Sequence, residues 1–456
     1  MMTVVSLFSG CGGLDLGFQS EGFSVEYACD SDPAAISCYI RNVDERAFVR
    51  DVTSEAFHSD IRALGHIDVV LGGFPCQGFS KAGPKRSNDP RNVLYAEMKR
   101  AVETIQPKAF VAENVDGLSQ NYGGEYLDRI AREFAELGYE VSHRILQAAA
   151  FGVPQFRRRI LFIGFRGDRR DAFSWPSPAH HVQSRNGEFY VDELDDVSPQ
   201  LRLWGQQPEH NAGASLPPPR TIRDAIGDLL ELSDEVPDHR VINGWPKKYE
   251  YIFRAIREGQ KLCNVRHAPT SVYAWQIPEA FGEVDDDERL VLETISQNRR
   301  HKRYGTVPNG NPLSVEVIEQ LSDLRNVGVI VASLLKKKYL KEIDGRYDLL
   351  GAMFCSGLFK RPRWDEPAPT VLTVFDNPRY FLHPLRDRPF SARECARLQG
   401  FPDHFVFCRS NDPTVTLKDA YRLIGNAVPP PLAAAIARSV RASLAVRSHT
   451  IARAAS

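Results

Sequence analysis

Residues 8–18 read FSGCGGLDLGF, a glycine-rich stretch that directly follows the short apolar segment Val4–Phe8. Glycines placed after a strand permit a tight turn, so the backbone can approach a ligand closely. The next apolar segment, Phe23–Ala28, is followed by Asp30, and Asp51 comes after a third candidate strand. Carboxylates at the ends of such strands commonly bind the hydroxyl groups of a ribose. The N-terminal region therefore predicts a nucleoside-binding pocket.

Strand and helix patterns alternate along the first part of the chain. Further apolar strands are predicted at Ile67–Leu71, Ala109–Ala112 and Ile160–Gly164. Helical patterns lie between them, at Tyr95–Ile105 and Tyr126–Leu137. Strands separated by helices indicate βαβ units and a mostly parallel sheet, whose ligands bind beyond the carboxyl ends of the strands. We therefore predict an α/β fold with a mostly parallel sheet.

The texture of the sequence changes after about Ser174. Trp, Pro, His, Gln and Asn become frequent, the alternation of strands and helices is lost, and basic clusters occur at 299–303 and 360–363. Compact apolar and helical patterns return after about Arg379. We predict a first catalytic part at 1–174, an irregular inserted domain at 175–378, and a C-terminal completion of the catalytic domain at 379–456.

The overall composition is typical of a globular protein. Hydrophobic residues make up 43% of the chain, and the formal net charge is −1, so a polyanionic partner must be bound by local patches. Eight cysteines occur without CxxC spacing, so we predict no metal site and no disulfide framework. The sequence has no signal-peptide pattern and no long apolar run. We expect a cytoplasmic protein without membrane association.

Cys76 lies in GGFPCQGFS, residues 72–80, directly after an apolar strand. A free cysteine is usually a buried, small hydrophobic residue. Here the neighbouring Pro75, Gln77 and Gly78 are typical of a loop, which favours an exposed and reactive thiol. The stretch from Gln77 to Asn92 is rich in Gly, Ser, Lys and Arg, and we predict that it closes over a substrate as a lid.

A carboxylate and two arginines follow further strands. Glu113 lies at the end of FVAENV, where a solvated carboxylate is the simplest interpretation of that residue alone. A cysteine and a carboxylate at neighbouring strand ends favour a shared catalytic site instead. In QFRRRI, residues 155–160, the alternation places Arg157 and Arg159 on one side of a strand and Arg158 on the other.

Six segments in order resemble the motifs of the DNA (cytosine-5) methyltransferase family: FSGCGGLDLGF, PCQGFS, ENV, QFRRR, RECARLQGFP and GNAVPPPLA. The resemblance covers about 3–165 and 367–440. It implies a Rossmann-like methyltransferase domain that uses S-adenosylmethionine, and it makes the inserted region the target-recognition domain. The basic clusters there would then suit contacts with the DNA backbone.

The resemblance also implies a role for each matching residue. S-adenosylmethionine would be bound by Phe8, Gly10, Gly12, Leu14, Asp30, Asp51, Val52, Pro75, Leu94, Asn426 and Val428. The substrate would be contacted by Gln77, Ser80 and Gln155. Catalysis would rest on Cys76, Glu113, Arg157 and Arg159. Two positions depart from the family pattern, which commonly has Glu where this chain has Asp30 and Gly where it has Arg50.

The family chemistry explains these residue types. Carbon 5 of cytosine is a poor nucleophile until a thiolate adds at carbon 6, which is the role implied for Cys76. Glu113 would bind and protonate nitrogen 3 of the ring, and Arg159, with Arg157 acting indirectly, would hold the exocyclic oxygen. The target base would have to be flipped out of the duplex.

Three alternatives stay open at this stage. Relatives in the same family methylate a tRNA cytosine, and a catalytically silent relative would bind DNA without methylating it. A nicotinamide dehydrogenase has a similar sheet, but GCGGLDLG is not GxGxxG and PCQ and ENV would go unexplained. Among partners we predict double-stranded DNA and, in a restriction-modification setting, a cognate endonuclease that acts on the same site. We expect a monomer that associates with the nucleoid.

Overall fold

The computed structural model describes residues 1–74, 93–117, 125–167, 173–184, 187–189, 216–307, 310–350 and 357–454. The predicted site residues Pro75, Cys76, Gln77 and Ser80, and the predicted lid, lie outside these ranges. The chain divides into two compact units. Unit 1 comprises Met1–Arg240, Asp365–Thr373 and Ser391–Ser456, and unit 2 comprises Val241–Trp364 and Val374–Phe390.

A seven-stranded sheet forms the centre of unit 1, in the order β3-β2-β1-β4-β5-β7-β6. Its strands are β1 (Met2–Leu7), β2 (Phe23–Asp30), β3 (Ala47–Val49), β4 (Val69–Gly72), β5 (Ala109–Val115), β6 (Tyr139–Gln147) and β7 (Arg158–Arg166). Pairing is parallel from β3 to β5, whereas β7 runs antiparallel to both β5 and β6. The prediction of a mostly parallel α/β sheet is confirmed. A short hairpin, β8 (Val182–Ser184) with β9 (Gly187–Phe189), also belongs to unit 1.

The helices of unit 1 lie between the first six strands of the sheet in the sequence and again after its last strand. They are α1 (Gly13–Ser20), α2 (Pro33–Asn42), α3 (Glu55–Ala63), α4 (Val93–Ile105), α5 (Glu125–Ala135), α6 (Ile222–Ile226), α12 (Ala392–Leu398), α13 (Leu417–Asn426) and α14 (Pro430–Ala454). Local sequence explains their starts. Asp32 accepts a hydrogen bond from the Ala34 amide before α2, and Thr416 with Asp419 forms a capping box at α13.

Side chains alternate between the two faces of the sheet and form two apolar layers. Val4, Val69 and Val111 are buried in the layer that also contains α1 and α14. Val5, Val70 and Phe110 are buried in the opposite layer, with residues of α3, α4 and α5. Because both faces are covered, the central strands read as continuous apolar runs.

The first and last helices of unit 1 pack very closely. A Cβ added to Gly17 of α1 would lie 2.4 Å from the Cβ of Ala433 in α14, so a larger residue cannot be accommodated there. Leu432, Ile436 and Val440 of α14 are fully buried against the sheet layer. The C-terminal helix is therefore an integral part of the apolar core beside the glycine-rich stretch.

Unit 2 has its own two apolar clusters, one centred on residues such as Val291, Ile295 and Val331 and the other on Phe253 and Phe359. Its helices are α7 (Lys248–Ala255), α8 (Pro278–Phe281), α9 (Asp286–Asn298), α10 (Val315–Ser322) and α11 (Val327–Lys336). Its strands are β10 (Lys261–Leu262), β11 (Ser271–Val272), β12 (Leu340–Ile343) and β13 (Arg346–Leu349). Only short two-stranded sheets occur among its described residues.

The boundaries of the two compact units differ from the domain boundaries at 174 and 378 that were predicted from composition. Val182 is buried in the core of unit 1, and the Ile222 amide donates a hydrogen bond to the Glu366 carbonyl. The assignment of 175–378 to target recognition stays a prediction. Among the described residues, no helix is both long and apolar enough to cross a membrane.

Candidate active site

The carboxyl ends of β4 and β5 lie side by side. Gly72 pairs with Ala112 in parallel register, so Gly73 and Glu113 follow at the same edge of the sheet. A Cβ added to Gly73 would lie 3.4 Å from the Glu113 Oε2. The chain that leads into PCQGFS therefore passes directly beside the predicted catalytic carboxylate.

Glu113 forms a close ion pair with Arg159. In the antiparallel pairing of β5 with β7, Val115 is opposite Arg159, which makes Glu113 its diagonal neighbour on the same face. The Arg159 Nε lies 2.6 Å from the Glu113 Oε1, and each side chain is 11% exposed. The Nε–H does not point at that oxygen with hydrogen-bond geometry, so the contact is electrostatic. The structure thus brings two predicted catalytic residues together.

Burial raises the pKa of the Glu113 carboxyl. The guanidinium groups of Arg159 and Arg157 act in the opposite direction, but the loss of solvation outweighs them. A carboxyl with a raised pKa holds its proton at higher pH than an exposed glutamic acid. It can therefore donate a proton to a ring nitrogen.

Asn114 is a site residue that the sequence analysis did not single out. Its Nδ2 donates a 3.0 Å hydrogen bond to the Phe74 carbonyl, and its side chain is buried. Phe74 is the last described residue before PCQGFS, so this bond fixes the point from which that segment departs. The signal in the sequence that could have identified Asn114 is its position directly after Glu113, at the end of a predicted strand.

Six cysteines lie in the described part of the chain; all six are buried, and none of them is joined to another by a disulfide bond. Burial raises the pKa of the Cys11, Cys29 and Cys408 thiols to about 12, and it also raises that of Cys38. A thiol with such a pKa supplies almost no thiolate at neutral pH. These four are therefore poor candidates for a nucleophile.

Arg157 is placed differently from Arg159. Its side chain is fully buried and donates to the carbonyls of Val371, Gly425 and Ala427 at 2.8–3.1 Å. Burial lowers the pKa of this guanidinium well below its usual value. Arg158, on the other side, lies 3.7 Å from Asp116. Arg157 thus ties β7 to the C-terminal segment, next to the pair formed by Glu113 and Arg159.

Gln155 is buried within the same network. Its Nε2 donates to the Leu398 carbonyl and contacts Gln399, while its Oε1 accepts from the Val371 amide at 2.8 Å. Gln399 in turn donates to the carbonyl of Ala427 at 2.6 Å. Both amide atoms of Gln155 are therefore hydrogen-bonded within the protein. Its predicted contact with the substrate stays a prediction.

The glycine-rich stretch forms an open loop at the end of β1. Gly10 has φ 55° and a Cβ placed there would meet no atom within 4 Å, so the backbone borders free space. Phe8 also has a positive φ, 54°, a conformation that costs energy for a bulky residue. Among the described residues, the Ser9 Oγ is buried without a hydrogen-bond partner. The loop therefore presents an unsatisfied polar atom beside an open turn.

Asp30 lies against this loop. Its Oδ2 accepts from the Gly10 amide and its Oδ1 from the Asp32 amide, both at 2.9 Å. Burial raises the pKa of Asp30 above the ordinary value. Each carboxylate oxygen can accept a further hydrogen bond. Asp30 is therefore suitably placed to accept hydrogen bonds from a ligand in the loop.

The C-terminal motif meets the glycine loop directly. A Cβ on Gly13 would lie 2.3 Å from the Val428 carbonyl oxygen. Val428 is buried, and Asn426 at the end of α13 is exposed. The structure thus brings together the first and last predicted cofactor motifs.

The other predicted cofactor residues differ in their surroundings. Leu14 and Val52 are buried, and Leu94 is partly buried against the sheet layer. Asp51 is exposed and accepts from the Thr53 amide at 2.8 Å. A Cβ on Gly12 would clash with Tyr39 at 2.9 Å, so this glycine permits close packing of α2. No ligand contact of these residues is tested by the geometry, and each stays a prediction.

Asp15 is a second residue that the sequence analysis missed. It is fully buried beneath the loop and accepts hydrogen bonds from the Ser6 hydroxyl at 2.9 Å and the Tyr39 hydroxyl at 3.0 Å. Burial raises its pKa to about 6. The described residues contain no group of three or more His, Cys, Asp or Glu arranged to hold a metal ion.

Comparison with known proteins places this chain in a family. The family model for C-5 cytosine-specific DNA methylases matches residues 2–442. The type II methyltransferase M.AgeI of Thalassovita gelatinovora is 31% identical over 97% of this chain and 100% of its own length. The type II methyltransferase M.HgiCI of Herpetosiphon aurantiacus is 29% identical over 96% and 97%, respectively.

A solved structure supports the fold. A prophage-encoded E. coli protein described as a DNA modification methyltransferase covers 98% of this chain with a TM-score of 0.51 and 23% identity. At that identity the likeness concerns the fold alone. The family model, in contrast, spans almost all of the sequence, and the resemblance inferred from the motifs is confirmed. The chain belongs to the C-5 cytosine-specific DNA methylase family and is a DNA (cytosine-5) methyltransferase.

Proposed function

We propose that the protein transfers a methyl group from S-adenosylmethionine to carbon 5 of a cytosine in double-stranded DNA, with Cys76 as nucleophile. The observation that carries this proposal is the buried pair of Glu113 and Arg159 beside Gly73. A carboxyl with a raised pKa and a guanidinium at the end of adjacent strands suits a neutral, polar ring better than a charged ligand. Cys76 follows Gly73 by three residues in the sequence.

The reaction assigns a separate task to each residue. The Cys76 thiolate adds to carbon 6, and Glu113 donates its proton to nitrogen 3, so that carbon 5 becomes nucleophilic. Arg159 binds the exocyclic oxygen and offsets the charge that develops there. After methylation a base removes the proton from carbon 5, Cys76 leaves as a thiolate, and nitrogen 3 returns its proton to Glu113. The high pKa of four described cysteines supports the choice of Cys76.

The turn at residues 8–12, between β1 and α1, suits S-adenosylmethionine. This molecule supplies an electrophilic methyl group on a sulfonium when it is bound. The unsatisfied Ser9 Oγ and the open turn at Gly10 suit a polar ligand, and Asp30 suits ribose hydroxyls. Val52 offers a buried apolar surface for a base. Phe8, Leu14, Asp51, Pro75, Leu94, Asn426 and Val428 complete the proposed pocket.

The target cytosine has to leave the duplex, because carbon 6 is not accessible to a thiolate within stacked bases. The inserted region at 175–378 would select the site, and the lid from Gln77 to Asn92 would close behind the flipped base. The names of the relatives favour a type II restriction-modification setting with a cognate endonuclease. We place such an enzyme in the cytoplasm, as a monomer.

Transfer of labelled methyl from S-adenosylmethionine tests the substrate. Duplex DNA should become labelled, and bisulfite mapping should assign the label to cytosines within a defined short sequence. Labelling of tRNA but not of DNA would contradict the DNA assignment. Binding of duplex DNA with no labelling of either would indicate a silent DNA-binding protein.

Covalent trapping on DNA that contains 5-fluorocytosine tests the nucleophile. The fluorine cannot leave as a cation, so the adduct accumulates in the active enzyme. The variant Cys76→Ser should give no adduct, whereas Cys263→Ala, which removes a buried thiol of unit 2, should give a normal yield. An adduct that persists in Cys76→Ser would assign the attack to another residue.

A further inference from the structure

Charge is unevenly distributed between the two units. Unit 2 contains 23 Lys and Arg against 17 Asp and Glu, a formal charge of +6, in a chain whose formal charge is −1. The nearly neutral composition of the whole chain therefore conceals a basic unit. A net positive charge favours association with a polyanion.

A buried ion pair organises one region of unit 2. The Arg299 guanidinium binds both carboxylate oxygens of Asp348 at 2.7 and 2.8 Å, and both side chains are almost fully buried. The same guanidinium donates to the Val265 carbonyl at 2.7 Å, and the Arg299 carbonyl accepts from the Asn311 amide at 2.6 Å. One buried arginine thus fixes three surrounding segments in place.

Exposed basic residues lie on the two segments that start at this anchor. Arg266 and His267 directly follow Val265, and Lys302 and Arg303 form a single helical turn just after Arg299. We call these four residues the basic platform. In the part of the chain that the structure describes, no carboxylate lies within 4 Å of the side-chain nitrogens of Arg266, Lys302 or Arg303.

Aromatic rings restrict the movement of the platform. The Arg303 guanidinium lies 4.6 Å from the centre of the Tyr304 ring. The His267 ring is nearly parallel to that of Tyr273, and its Nδ1 forms a 2.8 Å hydrogen bond with the Tyr273 hydroxyl. Side chains that are already ordered lose less entropy on binding. Positive charges held without internal carboxylate partners remain available for an external anion.

We propose that the basic platform contacts the phosphate backbone of the DNA substrate. The proposal rests on the proposed function and adds to it the residues of unit 2 that bind the duplex. It also corrects the expectation that all basic residues of the clusters at 299–303 and 360–363 are available to contact the DNA backbone. Arg299 is internal, and Arg361 is buried with its guanidinium bound to the carbonyls of Phe253 and Ile256.

Salt-dependent binding of the full-length protein tests this proposal. The probe is a short fluorescein-labelled duplex of mixed sequence, and its Kd is measured by anisotropy over a range of salt concentrations. The variant Arg266→Ala/Lys302→Ala/Arg303→Ala should bind more weakly. Loss of three phosphate contacts should reduce the slope of log K against log salt by about 2 to 3.

The matched control removes the same charge elsewhere in unit 2. Arg254→Ala/Arg325→Ala/Lys336→Ala replaces three exposed basic residues on other elements and should leave the slope unchanged. The charge-conserving variant Arg266→Lys/Arg303→Lys should also keep the slope. An unchanged slope in the platform variant, or equal effects in platform and control variants, would overturn the proposal.

The outcome is separate from that of the proposed function. If the unmodified protein binds the duplex but transfers no methyl group, the proposed function fails and the slope still tests the platform. If methyl transfer occurs and the platform variant keeps its slope, the proposed function stands and the platform is excluded. The preference for one DNA sequence over another should not change, because phosphate contacts carry no sequence information directly.

Discussion

At the scale of single residues, the pair of Glu113 and Arg159 carries the proposed chemistry. In that mechanism Glu113 carries a proton when the base binds, and burial raises its pKa, which favours the protonated form. A raised pKa keeps the carboxyl protonated towards neutral pH, and the protonated fraction falls as pH rises further. The thiol has the opposite requirement, because it must lose its proton. Activity should therefore decline at both ends of the pH range.

The variant Glu113→Gln should lower kcat by roughly 10²- to 10⁴-fold, because an amide retains the shape of the side chain but cannot donate a proton. The decline of kcat/KM on the alkaline side should disappear at the same time, which pH profiles of both proteins would reveal. Asp116→Asn, just beyond the end of β5, is the control. A variant with normal kcat would remove Glu113 from the mechanism.

Asp15 should make stability depend on pH. Its pKa is about 6 in the folded protein and 3.8 when exposed, so the buried carboxyl favours its neutral form. The stabilisation is complete below the lower value and is lost as pH rises through the higher one. The loss amounts to roughly 3 kcal/mol. In Asp15→Asn this pH dependence should be smaller, as urea unfolding at acid and neutral pH would measure.

The dependence on pH distinguishes ionisation of Asp15 from a general loss of packing. Asn retains one oxygen for a hydroxyl donor but presents an amide N–H to the other hydroxyl, so one of the two hydrogen bonds must reverse or be lost at every pH. That cost does not vary with pH, whereas the cost of ionisation does. Equal destabilisation of Asp15→Asn at both pH values would show that Asp15 does not titrate in this range.

Residues whose role follows from the residue type and from its place along a strand could be predicted from the sequence. Glu113 was found because it and Cys76 follow neighbouring predicted strands, and Arg159 because of the alternation of side chains in QFRRRI. Asn114 and Asp15 were missed, since their roles depend on partners such as Phe74 and Tyr39 that only the fold brings near. Sequence spacing contains no information about such contacts.

At the scale of elements, the buried side chain of Arg157 joins β7 to the segments at Val371 and at Gly425 and Ala427. A lysine at this position has a single nitrogen, which cannot occupy the positions of both Nη1, which donates to Val371, and Nη2, which donates to Gly425 and Ala427. We expect Arg157→Lys to destabilise unit 1 by about 2 to 4 kcal/mol, from the loss of hydrogen bonds to a charged group. Chemical denaturation measures this change.

Arg157→Lys should also raise the KM for S-adenosylmethionine more than it lowers kcat, because Gly425 and Ala427 flank the proposed cofactor residue Asn426. Arg158→Lys changes the neighbouring arginine on the other side of the strand and serves as the control. A variant with the stability and KM of the unmodified protein would show that the contacts of Arg157 are dispensable.

The strands were predicted unequally. Central strands such as β4 and β5 are covered on both faces and appear as apolar runs. Strand β6 was missed because it lies at the edge of the sheet, and its residues YEVSHRILQ include three charged or imidazole side chains. The antiparallel pairing of β7 could not be predicted either, because the amino-acid composition of a single strand does not indicate its direction in the sheet.

At the scale of the whole molecule, site selection and chemistry should be separable. Replacement of residues 175–366 by the corresponding region of a relative with another specificity should change the methylated sequence to that of the relative. The buried pair of Glu113 and Arg159 lies outside the exchanged region, so methyl transfer should persist. Bisulfite sequencing of treated plasmid DNA measures the outcome.

The control chimera exchanges residues 391–456, which belong to unit 1, and should leave the methylated sequence unchanged. If the first chimera is active but modifies the original site, then recognition resides outside the inserted region. The insert itself was predicted only as irregular and locally basic. Its specificity could not be predicted, because contacts with base edges depend on the placement of individual loop side chains.

The close packing of α1 on α14 has a consequence for biosynthesis. Cys11 and Leu423, which are in contact at 3.8 Å, are 412 positions apart, and Gly17 meets Ala433. The glycine-rich loop leaves the ribosome long before the residues of α13 and α14 that pack against it. A nascent chain therefore cannot complete the proposed methyl-donor pocket until these two helices have been made.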